Sequence, residues 1–143
     1  MTDSDYITAL SYDEKIIFLK IFCCLVRADS KIDEDEIGFL KNIAARYGID
    51  NRTVVDIIKQ PKINCATEAK KITNRQHALQ LVKEMCVLAN IDNDLDDKEL
   101  DVVIDCARAM DIEDEKIVLI NRWVLDSLIL SKTGEIILEQ DNG

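Results

Sequence analysis

The sequence matches itself when it is shifted by 63 residues. An acidic stretch at residues 28–36 then aligns with a second one at residues 91–99, without a gap. The shift also pairs identical residues outside these stretches, among them Lys20 with Lys83, Cys23 with Cys86, Leu25 with Leu88, Ala44 with Ala107 and Ile49 with Ile112. Two unrelated amphipathic helix pairs would imitate part of this pattern but would not also align the acids. We therefore interpret the chain as two tandem copies of one helical unit.

The composition favours an all-α fold. Four glycines and one proline in 143 residues are few for an all-β chain, which needs many turns. With 48% hydrophobic residues, a chain of this length buries a core without covalent cross-links. We predict a single-domain bundle of about six to eight helices. Repeat one spans about 11–60, a linker about 61–73, repeat two about 74–130, and a tail 131–143.

The first long helix should be the central one. Ser11 and Glu14 have the spacing of a capping box, which marks a helix start. From there to about Ala28 the apolar residues cover nearly the whole helical circumference. A helix that is apolar all round has to be surrounded by protein.

The other helices follow from the same kind of signals. In the first copy, helices are expected at about 35–47 and from Asp50 or Asn51 until Pro61 stops the chain. The linker is expected to hold at most a short helix. The second copy restarts with a cap at residues 73–76, and its next helix opens at residues 96–99.

The last helix is predicted from Glu115 to about Leu130, with Trp123 packed inside as the largest apolar side chain. Residues 131–134 are expected to break it. The apolar residues 136–138 are then expected to dock as a short helix or strand, and the final residues to fray.

The net charge and the lack of a long apolar run argue against several classes of partner. A net charge of −10 argues against nucleic acid and against anionic lipid surfaces, because both are bound through Lys and Arg. The chain has neither a signal sequence nor an apolar run long enough to span a membrane, so we expect a cytoplasmic protein without direct membrane insertion.

Five cysteines without a CxxC motif are interpreted as reduced, buried thiols. A redox-active or metalloid-reactive pair at Cys23 and Cys24 is the alternative.

The acidic stretches have a structural explanation in part. Asp33 and Glu36 have the spacing by which an N-cap carboxylate and a third-residue glutamate satisfy the free amides of a helix start, and the matching acids of the second copy share it. Asp29 and Asp92 fall instead at the carboxyl ends of the preceding helices. There the helix dipole disfavours a carboxylate by about 0.3–1 kcal/mol. Carboxylates at two such matching positions indicate another use.

A divalent cation, Ca²⁺ or Mg²⁺, fits that use, because hard cations take several oxygen ligands. Asp92, Asp94 and Asp96 have the spacing of an EF-hand loop. Asp97, however, replaces the turn glycine and Val103 stands in place of the bidentate glutamate, so we reject the EF-hand. A different acidic site remains the hypothesis, with capping and solvation as the alternative. The candidate metal ligands are Asp29, Asp33, Glu36, Asp92, Asp94, Asp96 and Glu99.

The repeated pattern resembles the TerB-like family, named for tellurite-resistance proteins and found also in the cytoplasmic companion of a J-domain co-chaperone. The matching residues are Ala28, Asp29, Ile32, Asp33, Glu36, Gly48 and Ile49, then Asp92, Leu95, Asp96, Glu99 and Ile112. The resemblance covers roughly residues 10–130. It implies a duplicated all-α bundle in the cytosol, a link to chemical or metal stress, an acidic divalent-cation site and no established catalysis. Ser30 and Asn93 replace the family's glycine, and since Asn tolerates a left-handed turn better, the second site is the better candidate.

We expect a non-enzymatic protein. His77 is the only histidine and stands at a helix start, where surface or capping roles are commoner than catalysis. The chain has no glycine-rich phosphate loop, nucleophile elbow or Cys/His zinc set. One hypothesis is an acidic divalent-cation-binding or scaffolding module. The other is a purely structural protein-interaction module, with a protein partner or a homodimer, in which the acids only cap helices.

Overall fold

The computed structural model describes residues 5–27, 34–60, 62–90 and 97–141. Across these ranges the fold is all-α, as predicted, with eight helices and no strand. The helices are α1 Asp5–Ala9, α2 Tyr12–Val26, α3 Glu34–Tyr47, α4 Asn51–Lys59, α5 Cys65–Ala69, α6 Arg75–Asn90, α7 Asp97–Ala109 and α8 Asp114–Asp141. None of the described helices is long and apolar enough to cross a membrane.

Helix α2 lies at the centre of the bundle and packs against helices α3 to α7. Its predicted capping box is confirmed: the Glu14 amide donates to Ser11 Oγ at 3.1 Å, and the Ser11 amide donates to Glu14 Oε1 at 3.0 Å. Nine residues of the helix are buried, namely Ile17, Phe18, Leu19, Ile21, Phe22, Cys23, Cys24, Leu25 and Val26. Neighbouring helices thus cover the apolar residues on all sides of α2, as predicted.

Three pairs of helices begin 63 residues apart: α2 and α6, α3 and α7, and α4 and α8. The turns that end α3 and α7 also match. Gly48 and Asp111 both have a left-handed backbone, with φ of 74° and 60°. The following amides of Ile49 and Ile112 each donate to an alanine carbonyl, of Ala44 and Ala107 respectively, at 2.9 Å. This is the hydrogen bond by which a left-handed residue closes a helix end.

The α4 and α8 pair diverges at its carboxyl end. Helix α4 is capped by Asp50, whose side chain accepts from the Thr53 amide at 2.8 Å, and it ends just before Pro61 in the sequence. A proline lacks the amide that continues a helix. At the matching position α8 has Val124, which is buried, and the helix continues to Asp141.

The predicted break at residues 131–134 is therefore wrong, since α8 runs through it. One glycine inside a helix costs only about 1 kcal/mol, and Gly134 does not end this one. Thr133 fits because its hydroxyl donates to the carbonyl of Ile129 at 2.9 Å. Residues 136–138 are helical but exposed, so they do not dock. Of the four residues predicted to fray, Gln140 and Asp141 still belong to α8, and residues 142–143 lie outside the described residues.

The prediction of reduced cysteines is wrong for one pair. Cys24 and Cys65 form a disulfide that joins the last turn of α2 to the first residue of α5, with Cα atoms 6.2 Å apart. The other three cysteines, Cys23, Cys86 and Cys106, are free and buried, as predicted. A sequence separation of 41 residues carries no pairing signal, because the tertiary packing of α5 on α2 brings the two sulfurs together.

Candidate functional site

Most of the predicted metal ligands cannot be placed. Asp29, Asp33, Asp92, Asp94 and Asp96 lie outside the described residues. The structure describes Glu36 and Glu99, which are the third residues of α3 and α7, and both are half-buried. Within the described ranges, no group of three or more His, Cys, Asp or Glu side chains is placed to hold a metal ion. The divalent-cation site stays a prediction.

The starts of α3 and α7 agree in position with the capping interpretation. Helix α3 begins at Glu34 and α7 at Asp97, so Asp33 and Asp96 each stand one residue before a helix in the sequence. Such positions favour a carboxylate that accepts from the free amides. The capping bonds of these two aspartates lie outside the described residues and stay untested.

His77 has a partner that the sequence did not reveal. Its Nδ1 lies 2.7 Å from Oε2 of Glu14, and both side chains are largely buried. Each is the third residue of its helix, and their positions differ by 63. Burial alone raises the pKa of Glu14, but the bonds from the Ser11 amide and from His77 outweigh it and hold that pKa below its ordinary value. Because Glu14 is also hydrogen-bonded to Ser11, the pair links the starts of α2 and α6.

The largest unexplained feature is the outer surface of α8. Among the described residues, large hydrophobic side chains that are well exposed occur almost entirely on this helix, with Tyr12 the exception. We call this set the α8 surface: Val118, Leu119, Trp123, Leu125, Ile129, Leu130, Ile136, Ile137 and Leu138. Trp123 is 56% exposed, so the prediction that it packs inside is wrong. Its ring lies beside the Lys83 ammonium, with Nζ 5.3 Å from the centroid.

A groove runs along the α8 surface on the side of α7. It has a volume of about 600 Å³ and is mainly apolar, and its lining includes Leu100 and Ile104 from α7 and Val118, Leu125 and Ile129 from α8. The charged residues at the groove come as two arginines and two aspartates: Arg108, Asp114, Arg122 and Asp126. We call it the α7–α8 groove.

The two arginines of the groove differ in their engagement. Arg108 forms a bidentate pair with Asp114, at 3.1 Å from Nε and 2.9 Å from Nη2. This bond lowers the pKa of Asp114. Arg122 and Asp126 are exposed on the outer part of α8. Apolar walls with charges at the rim are typical of a surface that receives an amphipathic helix.

A second cavity borders the disulfide. It has a volume of about 430 Å³ and is lined by Cys24, Arg27, Lys62, Ile63, Asn64 and Cys65. Arg27 is held there by a bond from its Nη1 to the carbonyl of Gln60 at 2.6 Å. We call it the cysteine cavity. No local motif in the sequence indicates either cavity. Comparison of the chain with protein families, with curated proteins and with solved structures gives no match.

Proposed function

We propose that this chain is a non-enzymatic scaffolding module that associates through α8, with a second copy of the chain as the occupant of the α7–α8 groove. The observation that carries the proposal is the concentration of exposed aliphatic side chains on one helix. Monomeric proteins rarely leave contiguous apolar patches larger than about 300–600 Å² in water, and larger ones mark interaction surfaces. This function corresponds to the hypothesis, drawn from the sequence, of a protein-interaction module that forms a homodimer.

The apolar pattern of α8 suits a helix-to-helix contact. Val118, Leu125, Ile129 and Ile136 recur at intervals of seven, four and seven residues, so they lie on one side of the helix. The first three line the α7–α8 groove, while Ile136 continues the same line beyond it. A second α8 laid along this line would bring the same residues to the same surface, as a two-fold interface requires.

The charges of α8 favour an antiparallel arrangement of the two copies. With Ile129 on the two-fold axis, Asp126 lies three residues before the axis and Lys132 three residues after it. Each Asp126 then lies at the same height as Lys132 of the second copy, across the apolar line, and the arrangement occurs twice, whereas a parallel arrangement would bring like charges to one height. Opposite charges at the rim fix the register of such a contact more than they add affinity.

The first experiment places a charge on the proposed axis. Ile129→Asp would bring two carboxylates face to face in an apolar contact, and we expect self-association to weaken by about 100-fold. The matched control is Leu130→Asp, because Leu130 is even more exposed but lies about 100° further round the helix. Sedimentation equilibrium over a range of concentrations measures both. Equal effects of the two substitutions would contradict the proposed surface, and a wild-type monomer at every soluble concentration would contradict the second copy as occupant.

A charge exchange tests the orientation. Asp126→Lys alone places like charges at the same height of the contact and should weaken the dimer, and Lys132→Asp alone should do the same. The double variant restores opposite charges and should recover wild-type association. A double variant weaker than both single variants would contradict the antiparallel register.

We also infer that the bundle arose by duplication and is related to the TerB-like family. The support is the 63-residue spacing of three pairs of helix starts, together with the matching left-handed turns after α3 and α7. The resemblance rests on residues of the acidic stretches, most of which lie outside the described ranges.

Divalent-cation binding is the second candidate function. Its support is the position of the acids: α2 ends at Val26 and α6 at Asn90, so Asp29 and Asp92 follow helix carboxyl ends, where the dipole disfavours them. A bound cation would offset that cost. The residues that would hold it are the seven predicted ligands, with the second acidic stretch favoured by its additional Asp94.

Thermal melting in Ca²⁺ or Mg²⁺ tests this candidate. A cation at about ten times its Kd should stabilise the fold by about 1.4 kcal/mol, beyond the effect of a monovalent salt at matched ionic strength. Asp92→Asn should reduce that gain and leave the metal-free stability unchanged or slightly higher. Melting points that follow ionic strength alone would exclude the cation site, while a loss of metal-free stability in Asp92→Asn would identify Asp92 as structural.

A further inference from the structure

The disulfide pair differs from the other cysteines in its surroundings. Cys23, Cys86 and Cys106 are enclosed in the core, and burial raises the pKa of each thiol, to about 12 for Cys86 and Cys106. Thiols of this kind are poor nucleophiles at neutral pH. Cys24 and Cys65 instead border the cysteine cavity. Sulfur chemistry with a small molecule is therefore restricted to this pair.

The two sulfurs of the pair are unequally accessible. Cys24 belongs to α2 and is 9% exposed, whereas Cys65 is half-buried at the start of α5. Thiol–disulfide exchange requires an approach to one sulfur, and access decides which sulfur is attacked. The geometry thus makes Cys65 the sulfur that an incoming thiolate reaches and Cys24 the leaving group.

The cysteine cavity is basic in an acidic protein. Arg27 and Lys62 line it, and among its described lining residues there is no acid, although the chain as a whole carries a net charge of −10. Both cations favour a negatively charged ligand, and their charge stabilises a thiolate that forms in the cavity. The cavity therefore selects anionic thiols over neutral or cationic ones.

The surroundings also suit the reduced state. The carbonyl oxygen of Ile63 lies 3.5 Å from Sγ of Cys24 and 3.9 Å from Sγ of Cys65. A disulfide has no proton to donate, but two thiols would both have this carbonyl as an acceptor. The buried sulfur of Cys24 would then have a polar partner after the bond opens.

We propose that Cys24 and Cys65 form a reversible thiol–disulfide exchange site for small anionic thiols. A thiolate attacks Sγ of Cys65, and the bond between the two cysteines breaks. The electron pair leaves on Sγ of Cys24, which takes a proton from solvent. A mixed disulfide between Cys65 and the small thiol results.

A second small thiolate then attacks the outer sulfur of the mixed disulfide. The Cys65 thiolate is released and protonated, and the two small molecules leave as one disulfide. In sum, the protein gains two electrons and two protons, and two small thiols are oxidised. The exchange opens the covalent link between α2 and α5, whose contact then depends on packing and on the ion pair of Lys20 with Glu68.

The test compares three small thiols on the oxidised full-length chain. The probes are 3-mercaptopropionate, 2-mercaptoethanol and cysteamine, which are anionic, neutral and cationic. Each rate is divided by the rate at which the same thiol reduces the uncharged 2-hydroxyethyl disulfide, which cancels the thiolate fraction and the intrinsic nucleophilicity of the probe. Alkylation under denaturing conditions followed by mass spectrometry counts the opened disulfides. We expect the anionic thiol to react at least about 10-fold faster than the cationic one, as steering by local charge produces. Equal rates, or a faster cationic thiol, would overturn the selectivity.

Two pairs of variants test which residue causes the preference for anionic thiols and which sulfur is attacked. Lys62→Gln should reduce the anionic preference, with exposed Lys59→Gln on α4 as the matched control. In Cys24→Ser, free Cys65 should form a mixed disulfide with oxidised glutathione faster than free Cys24 does in Cys65→Ser. Equal rates in the two cysteine variants would overturn the assigned direction. Five free thiols in wild-type protein equilibrated with oxidised glutathione would overturn the site itself.

Discussion

Helices α2 and α8 are both rich in large aliphatic residues, yet one is buried and the other is largely exposed. Nine residues of α2 are buried, whereas of the described α8 side chains only Ile117 and Val124 are. Helix α2 is surrounded by α3 to α7, while α8 packs mainly against α6 and α7. Apolar content alone therefore does not decide burial. It decides burial only where enough neighbouring helices cover the whole circumference.

Helix α4 explains part of the difference, because it begins 63 residues before α8 and is much shorter. Pro61 follows α4, but the matching residue of α8 is Val124, so nothing stops α8 at the edge of the bundle. The additional turns carry most of the α8 surface. The difference between proline and valine at this position thus separates a short packed helix from a long helix with an exposed apolar side.

A core truncation in α2 should lower the stability of the fold far more than a truncation on the exposed side of α8. Phe18 has no exposed surface, so Phe18→Ala should lower the free energy of unfolding by about 3–5 kcal/mol. Leu138→Ala in α8 removes a side chain that is 65% exposed and should change it by less than about 0.5 kcal/mol. Urea unfolding followed by circular dichroism at low protein concentration measures both. A comparable loss for Leu138→Ala would mean that this end of α8 is packed in solution.

A proline in α8 should remove the difference from α4. Val124→Pro deletes a helical amide and should cost about 3 kcal/mol, with a loss of helical signal from the following turns. Val124→Ala is the control, since it removes only the side-chain packing. A proline variant that keeps the full helical signal would contradict this explanation, because the length of α8 would then not depend on an unbroken backbone at residue 124.

The smallest effect concerns the first turns of the two helices. The pKa of Glu14 is lowered in the folded protein, so its contribution to stability is present above its unfolded pKa and is lost as the pH falls through the folded pKa. Glu14→Gln should therefore flatten the fall in stability on acidification below about pH 5, by about 1 kcal/mol. Asp114→Asn in α8 should flatten it less, because Asp114 and its partner Arg108 are both exposed, whereas Glu14 is half-buried. Chemical unfolding at a series of pH values tests the order, and a larger effect at Asp114 would reverse it.

Local signals predicted much of this fold. The capping box at Ser11, the cap at Asp50 and the glycine turn at Gly48 act within one helical turn, so the residues that cause them are adjacent in the sequence. Helix α1 was missed because it is only five residues long, and it is held by a contact between the hydroxyls of Tyr6 and Tyr47 at 2.8 Å. A partner 41 residues away leaves no local pattern.

The candidate sites were harder to predict from the sequence than the helices were. The acidic residues predicted a site at residues 28–36 and 91–99, most of which the structure does not describe. The α7–α8 groove and the cysteine cavity depend on which helices are neighbours. The exposure of Trp123 follows from the same cause, because a large apolar residue packs only if a neighbour stands opposite it.

By itself the sequence determined the all-α class, most helix positions and the buried circumference of α2, since helical period, caps and apolar density are properties of short segments. The tertiary structure alone decided the pairing of Cys24 with Cys65, the contact of His77 with Glu14 and the exposure of α8. Each of these depends on where distant helices lie in space. Two sulfurs 41 residues apart, or a helix with one side uncovered, are consequences of packing that no local pattern encodes.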